Sequence, residues 1–319
     1  MQRFFLFLIA VIGLVLPACN NSQTSAPHKI AIINPSKGLN SVVEGFMAGM
    51  KARGYDEGKN VTYFYYHDIS MAEVDGAIAE IMTKDVDLVY SLTTPATLKA
   101  KKAFAETGIP LLFAPVFSPV DAGVVDSLAH SGGNLTGLKL RGSTAKALGW
   151  LQAVVPGVKR IFVPVHRADS ASCMTLEDLQ AAADQMGIEL VVAEIATPQD
   201  LAKVLADIPA KVDGLWLTCS HMLFTHVHDI VAAATARRLP VAATAHIPGS
   251  GVLVSYGDAN VRIGEQISHM ADRILLGASA RDMPIETADF LLTINLKTAN
   301  RLGITIPDEI LRQVDIFER

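Results

Sequence analysis

The 319-residue chain predicts an α/β protein of two doubly wound, parallel-sheet lobes joined by a hinge around a cleft. Three observations carry this expectation. Short runs rich in Val, Ile and Leu alternate with longer helix-forming stretches, which is the pattern of βαβ units. The order of those elements, with several marker residues, occurs twice. A chain of 319 residues that is 50% hydrophobic also exceeds what one compact core normally holds.

In order along the chain, residues 29–35 (KIAIINP) read as a buried strand, 41–53 as a helix closed by Gly54, and 60–67 as the next strand. A helix over 73–83, a strand over 86–90, a Thr-Thr-Pro loop, a helix over 95–106 and a strand over 109–113 follow. The series then returns. Strand 158–166, helix 176–186 closed by Gly187, strand 188–195, capped helix 197–208, strand 212–217, helix 221–237 and strand 239–243 repeat the same order. Val86-Asp87 answers Val212-Asp213, Ile109-Pro110 answers Leu239-Pro240, and Gly54 answers Gly187. Strand 252–256, helix 260–276, strand 290–295 and a short helix ending at Leu302 complete the chain and imply several passages between the lobes. The division expected is 29–140 with 257–280 for the first lobe, and 141–256 with 281–319 for the second.

The N-terminus reads as an address. A basic start at Arg3 leads into an apolar run over 4–16, too short to span a bilayer and suited to the core of an export signal. The run ends in Leu16-Pro17-Ala18-Cys19, which resembles the lipobox of bacterial lipoproteins, so residues 1–18 are expected to be removed and Cys19 to carry lipid. Residues 19–28 are mostly polar and suit a tether. The chain is thus expected outside the cytoplasm, held at a membrane surface through Cys19.

Composition excludes other classes. With 27 Lys and Arg against 32 Asp and Glu, the net charge of −5 lacks the basic excess of a nucleic-acid binder. Three cysteines, Cys19, Cys173 and Cys219, are too few for a disulfide scaffold and lack metal-ligand spacing; pairing of Cys173 with Cys219 stays open. His221, His226 and His228 do not share one helix face as near neighbours, so no metal site is expected. No Gly-x-Ser-x-Gly elbow, phosphate loop or His-Glu-x-x-His occurs, and neither an enzyme nor a resident cofactor is expected.

Gly54-Tyr-Asp-Glu-Gly58-Lys-Asn60-Val-Thr62, Ser118-Pro119-Val-Asp-Ala-Gly123 with Gly132-Gly-Asn134-Leu-Thr136-Gly137, Leu253-Val-Ser255-Tyr256-Gly257 and Ile294-Asn295-Leu-Lys297-Thr298-Ala-Asn-Arg-Leu302 together resemble the ABC-transporter substrate-binding proteins that include the tryptophan-binding type. The resemblance runs from about residue 29 to the end. It implies a periplasmic-binding-protein fold of type I that closes on a small ligand and serves a membrane permease. Two departures stand out. Ser118 occupies the place where amino-acid-binding members carry Asp before the proline, and Leu138-Lys139-Leu140 stand where an acid often follows.

Lobes of this kind bind beyond the carboxyl ends of their parallel strands, beside helix N-termini whose free N–H groups suit anions. The candidate ligand residues are therefore Asn34, Ser36 and Lys37 after the first strand, and Thr93, Thr94 and Ala96 at the next helix start, with Thr94 as N-cap before Pro95. Phe117, Ser118 and Lys139 complete the first lobe; His166, Ser220, His221, His246 and Tyr256 are their counterparts in the second. Without a carboxylate at 118 or 138–140 an ammonium lacks its partner. The ligand expected is therefore apolar-bodied or lipid-like, with a hydroxyl or carboxylate head; the alternatives are an aromatic amino-acid-binding component of the same transporter class and a ligand-sensing receptor domain.

Overall fold

The computed structural model describes residues 26–319, so the signal segment, Cys19 and most of the tether lie outside the described residues. The chain opens with β1 (His28–Asn34), α1 (Asn40–Ala52), β2 (Val61–His67), α2 (Val74–Ile81), β3 (Leu88–Ser91), α3 (Thr94–Phe104), β4 (Leu111–Val116) and β5 (Leu135–Lys139). It moves to the second lobe with α4 (Thr144–Val154), β6 (Arg160–His166), α5 (Ser170–Met186), β7 (Glu189–Ile195), α6 (Pro198–Ala206), β8 (Gly214–Leu217), α7 (His221–Thr225), α8 (Val227–Ala236), β9 (Val241–Ala245) and β10 (Val254–Asp258). Helix α9 (Asn260–Leu275) and β11 (Glu286–Thr287) return to the first lobe, and β12 (Leu291–Asn295), α10 (Leu296–Leu302), α11 (Asp308–Leu311) and β13 (Ile316–Glu318) finish the second.

The first sheet is six-stranded, ordered β11-β5-β4-β3-β1-β2, and every pairing in it is parallel. The second is seven-stranded, ordered β13-β12-β10-β9-β8-β6-β7, and antiparallel only between β10 and β12. A parallel sheet is covered on both faces, which is why β1, β3, β6 and β8 are continuous apolar runs. Each lobe has its own apolar clusters on the two faces of its sheet, and Phe290, on the third passage, packs on the first lobe's cluster while meeting Tyr256 of the second.

The internal repeat has a physical cause. Asp87, just before β3, accepts the backbone N–H of Lys29 at 2.7 Å; Asp213, just before β8, accepts those of Lys159 and Arg160 at 2.9 and 2.8 Å. The paired prolines work alike: the carbonyl of Pro110 accepts Val89 N–H at 3.0 Å, and that of Pro240 accepts Leu215 N–H at 2.9 Å. In each lobe the aspartate thus locks the first strand to the third, and the proline locks the third to the fourth.

Three passages connect the lobes, after β5, between β10 and α9, and between β11 and β12. Strand pairing keeps Gly257 and Asp258 with the second sheet and Glu286 with the first, so the expected borders at 257 and 281 move to 259 and 288. The single helix expected over 221–237 is two helices broken at His226, whose Nδ1 faces the Met222 carbonyl at 2.9 Å. Helix α5 begins at Ser170 rather than 176, because Asp169 caps it by accepting Ala171 N–H.

Helix α9 is held in the first lobe by backbone contact with α1. A Cβ on Gly45 would meet the Val261 carbonyl oxygen at 2.1 Å, and one on Gly264 the Val42 carbonyl oxygen at 2.1 Å. Gly264→Ala is therefore expected to destabilise the protein by about 1–3 kcal/mol through forced separation of the helices. Gly76→Ala on α2, which faces open space, should stabilise by up to about 1 kcal/mol. Urea unfolding of the two variants checks the opposite signs.

Candidate ligand-binding cleft

The carboxyl ends of β1, β3, β4 and β5 face those of β6, β8, β9 and β10 across the gap that the three passages bridge. In the first lobe, Asn34 is buried and works on its own loop: its Nδ2 donates to Asn40 Oδ1 at 2.8 Å and its Oδ1 accepts Ser36 N–H at 3.1 Å. Ser36 is half-buried, and exposed Lys37 lies 3.8 Å from Asp68.

The next turn is strained. Thr93, not Thr94, is the N-cap of α3: its hydroxyl accepts Ala96 N–H, and its φ of 72° puts a β-branched residue in glycine's region of backbone space. Thr94 opens the helix, and Ala96 is buried with its N–H already taken. Such strain costs about 1–3 kcal/mol and persists where the surroundings over-determine it.

Phe117 is half-buried, and its carbonyl receives Arg141 N–H at 2.9 Å. The Ser118 hydroxyl donates to Asp121, so it is engaged within its own loop. Lys139, at the tip of β5, donates to the Arg141 carbonyl at 2.7 Å, and among the described residues no carboxylate lies within ion-pair distance of it, Asp178 acting on it only from farther off. Burial, reinforced by the neighbouring Arg141 charge, pushes its ammonium below the ordinary lysine range.

In the second lobe the structure brings His166 and Ser220 together, with the hydroxyl 3.4 Å from His166 Nδ1. Ser220 is buried; His221, the first residue of α7, is exposed. His246 does not join them. Its imidazole is turned back to within 3.9 Å of Glu318, and burial holds it below the usual histidine range despite that carboxylate. Tyr256 stands on the sheet face under α4 rather than at a strand end, accepting a hydrogen bond from Lys146 Nζ at 2.9 Å and meeting the Phe290 ring at 6.0 Å. Cys173 and Cys219 are both free thiols, and burial pushes that of Cys219 up. Among the described residues no three His, Cys, Asp or Glu side chains converge as a metal site.

One cleft residue was absent from the sequence candidates. Asp258 ends β10 beside the second passage, half-buried, and its carboxylate takes only its own backbone N–H. Burial without a cation raises it to about 6. The signal available was position: a lone acid between a strand and the helix that re-enters the other lobe.

Two covered sheets facing each other across a hinged cleft define a bilobal binding protein. The comparisons then give its family: the chain belongs to the ABC transporter substrate binding proteins, whose profile matches residues 29–316. It is 25% identical over 253 residues to a tyrosine-binding protein of Clostridioides difficile, spanning 79% of this chain and 73% of that one. It resembles the ABC domain from Streptococcus pneumonia in complex with L-Trp, with a TM-score of 0.77 and 22% identity over 92% of this chain and 100% of the other. A ligand-free, open substrate-binding protein from Clostridium difficile gives 0.78 and 24% over 92% and 99%. The fold is the type I periplasmic-binding-protein fold, and the family is a class of small-molecule binders serving ABC transporters, not of enzymes.

The raised Asp258 makes a signed prediction. An unfolded aspartate ionises near 3.9, so between that value and about 6 the folded state binds the extra proton and stability falls as pH rises. Asp258→Asn is expected to stabilise the protein at pH 7.5, by at most about 3 kcal/mol, and to change it little at pH 4. Thermal melts at the two pH values check this.

Proposed function

We propose that the chain is an exported, lipid-anchored receptor subunit of an ABC transporter that takes up a small amphiphilic ligand in its interlobe cleft and presents it to the permease. The observation that carries the ligand class is a pair of opposite charges left without ionic partners: Lys139 at the end of β5 and Asp258 at the end of β10. Each is half-buried, and the two belong to different lobes. A ligand bearing both an ammonium and a carboxylate compensates both desolvated groups at once, and only when the lobes approach. The N-terminal turn of α3 adds free dipole to the carboxylate side. Phe117 and Phe290 provide apolar surface for the ligand's body. An amino acid with an apolar or aromatic side chain meets these requirements, which accords with the tyrosine-binding relative and the L-Trp-bound neighbour.

The sequence expectation of an apolar or anionic ligand rested on the missing acids at 118 and 138–140; Asp258 supplies one from another direction. An apolar monocarboxylate is the second reading, favoured by Lys139 alone. Titration calorimetry separates the two. L-tyrosine or L-tryptophan is expected to bind with micromolar or tighter affinity, and Asp258→Asn to weaken that binding at least about tenfold, the usual scale for a charged hydrogen bond. Benzoate binding that exceeds that of both amino acids and survives Asp258→Asn would establish the second reading instead.

The anchor is tested separately, because Cys19 ends the apolar run at the expected cleavage point. Cys19→Ser is expected to abolish labelling by a radioactive fatty acid and to leave the protein unprocessed or released from the membrane fraction.

A further inference from the structure

Among the described residues the close packing between elements stays within each lobe, and the two lobes' apolar surfaces meet where Phe290 reaches the Tyr256 ring. Against that background one polar cluster links them. Arg141 lies on the first passage but is carried by the first lobe, since its N–H donates to the Phe117 carbonyl at 2.9 Å. Its Nη1 donates to Asp121 Oδ2 at 2.9 Å, and the same carboxylate accepts the Ser118 hydroxyl. The other edge of the guanidinium forms a two-pronged pair with Asp178 on α5 of the second lobe, Nη2 to Oδ1 at 2.8 Å and Nε to Oδ2 at 3.0 Å. Glu177 stands 3.9 Å away. Among the described residues, the ion pairs that join the lobes are all made by Arg141, tightly to Asp178 and at the edge of range to Glu177.

We infer that Asp121, Arg141 and Asp178 form a latch that holds the lobes in the arrangement seen here and sets how readily they leave it. The fork geometry makes the latch directional. A planar guanidinium meets a carboxylate in two parallel hydrogen bonds only over a narrow range of angles. Arg141 is fixed to the first lobe at its backbone and at Asp121, so rotation of the second lobe carries Asp178 out of register. An ion pair of this exposure adds little to folding stability. The equilibrium between open and closed lobes is itself a small difference, however, and a weak contact present in one state alone shifts it. Asp121 is kept ionised first by the Ser118 hydroxyl and then by Arg141, which ties the departure at position 118 to the hinge rather than to the ligand. The inference is independent of what the cleft binds.

Double electron–electron resonance on the full-length protein in detergent tests it without any ligand. Spin labels on Ala72→Cys and Ala168→Cys, both exposed and on opposite rims of the cleft, report lobe separation in a Cys173→Ser, Cys219→Ala background. Asp178→Asn is expected to move the distance distribution away from the parent's or broaden it, and 1 M NaCl to do the same to the parent. Glu177→Gln should leave the distribution unchanged. If Asp178→Asn loses its native circular dichroism, Asp121→Asn carries the same expectation from the other lobe. A distribution in the folded variants that coincides with the parent's overturns the latch.

Discussion

Three short backbone passages, all at the carboxyl ends of their strands, are what the remaining geometry depends on. They bring two sheets tip to tip and allow one lobe to swing against the other while preventing separation. Because each lobe is packed around its own clusters, the swing disturbs neither core. The candidate cleft is thus lined by loops whose positions are set by their own sheets.

That constraint accounts for where polar strain accumulates. Thr93 in an unfavourable backbone region, Lys139 and Asp258 without ionic partners, and the forked Arg141 all lie at or beside the strand tips. Elsewhere the comparable groups are resolved locally: Asp87 and Asp213 are satisfied by backbone N–H groups, and Arg160 meets Glu189. Groups that would gain from a partner are concentrated where a partner arrives from outside the chain or from the other lobe.

The two-lobe α/β fold was legible because its determinants are local. Buried parallel strands need continuous apolar runs, and the aspartate and proline locks recur at equivalent places in both lobes. The misreadings have equally local causes. The first turns of α5 bury Ser172 and Thr175 rather than aliphatic residues, so they show no apolar period. Two-residue β11 is too short to have a pattern. From sequence, Gly257 reads as a break that ends strand β10 at Tyr256, two residues before the strand stops. In the fold it is the residue that lets the strand approach the Thr244 carbonyl, and the strand continues through it to Asp258. Arg141 gave no signal at all, since its partners are 20 and 37 residues away and such pairing has no period.

The tight seating of α9 on α1 has a consequence for the order in which the protein is made. The first lobe's main cluster includes Ile263, Ile267, Met270 and Ala288, so the half of the molecule that begins at residue 28 stays unfinished until nearly the whole chain has emerged. In the second lobe only the cluster around Leu253 and Val254 waits for β12 and the helices that follow it. A nascent chain of this topology completes neither lobe during most of its synthesis, because each keeps one cluster open for a late segment. The same chain routing that makes a hinge therefore prolongs the time for which the polypeptide is extended enough to be threaded through a narrow channel.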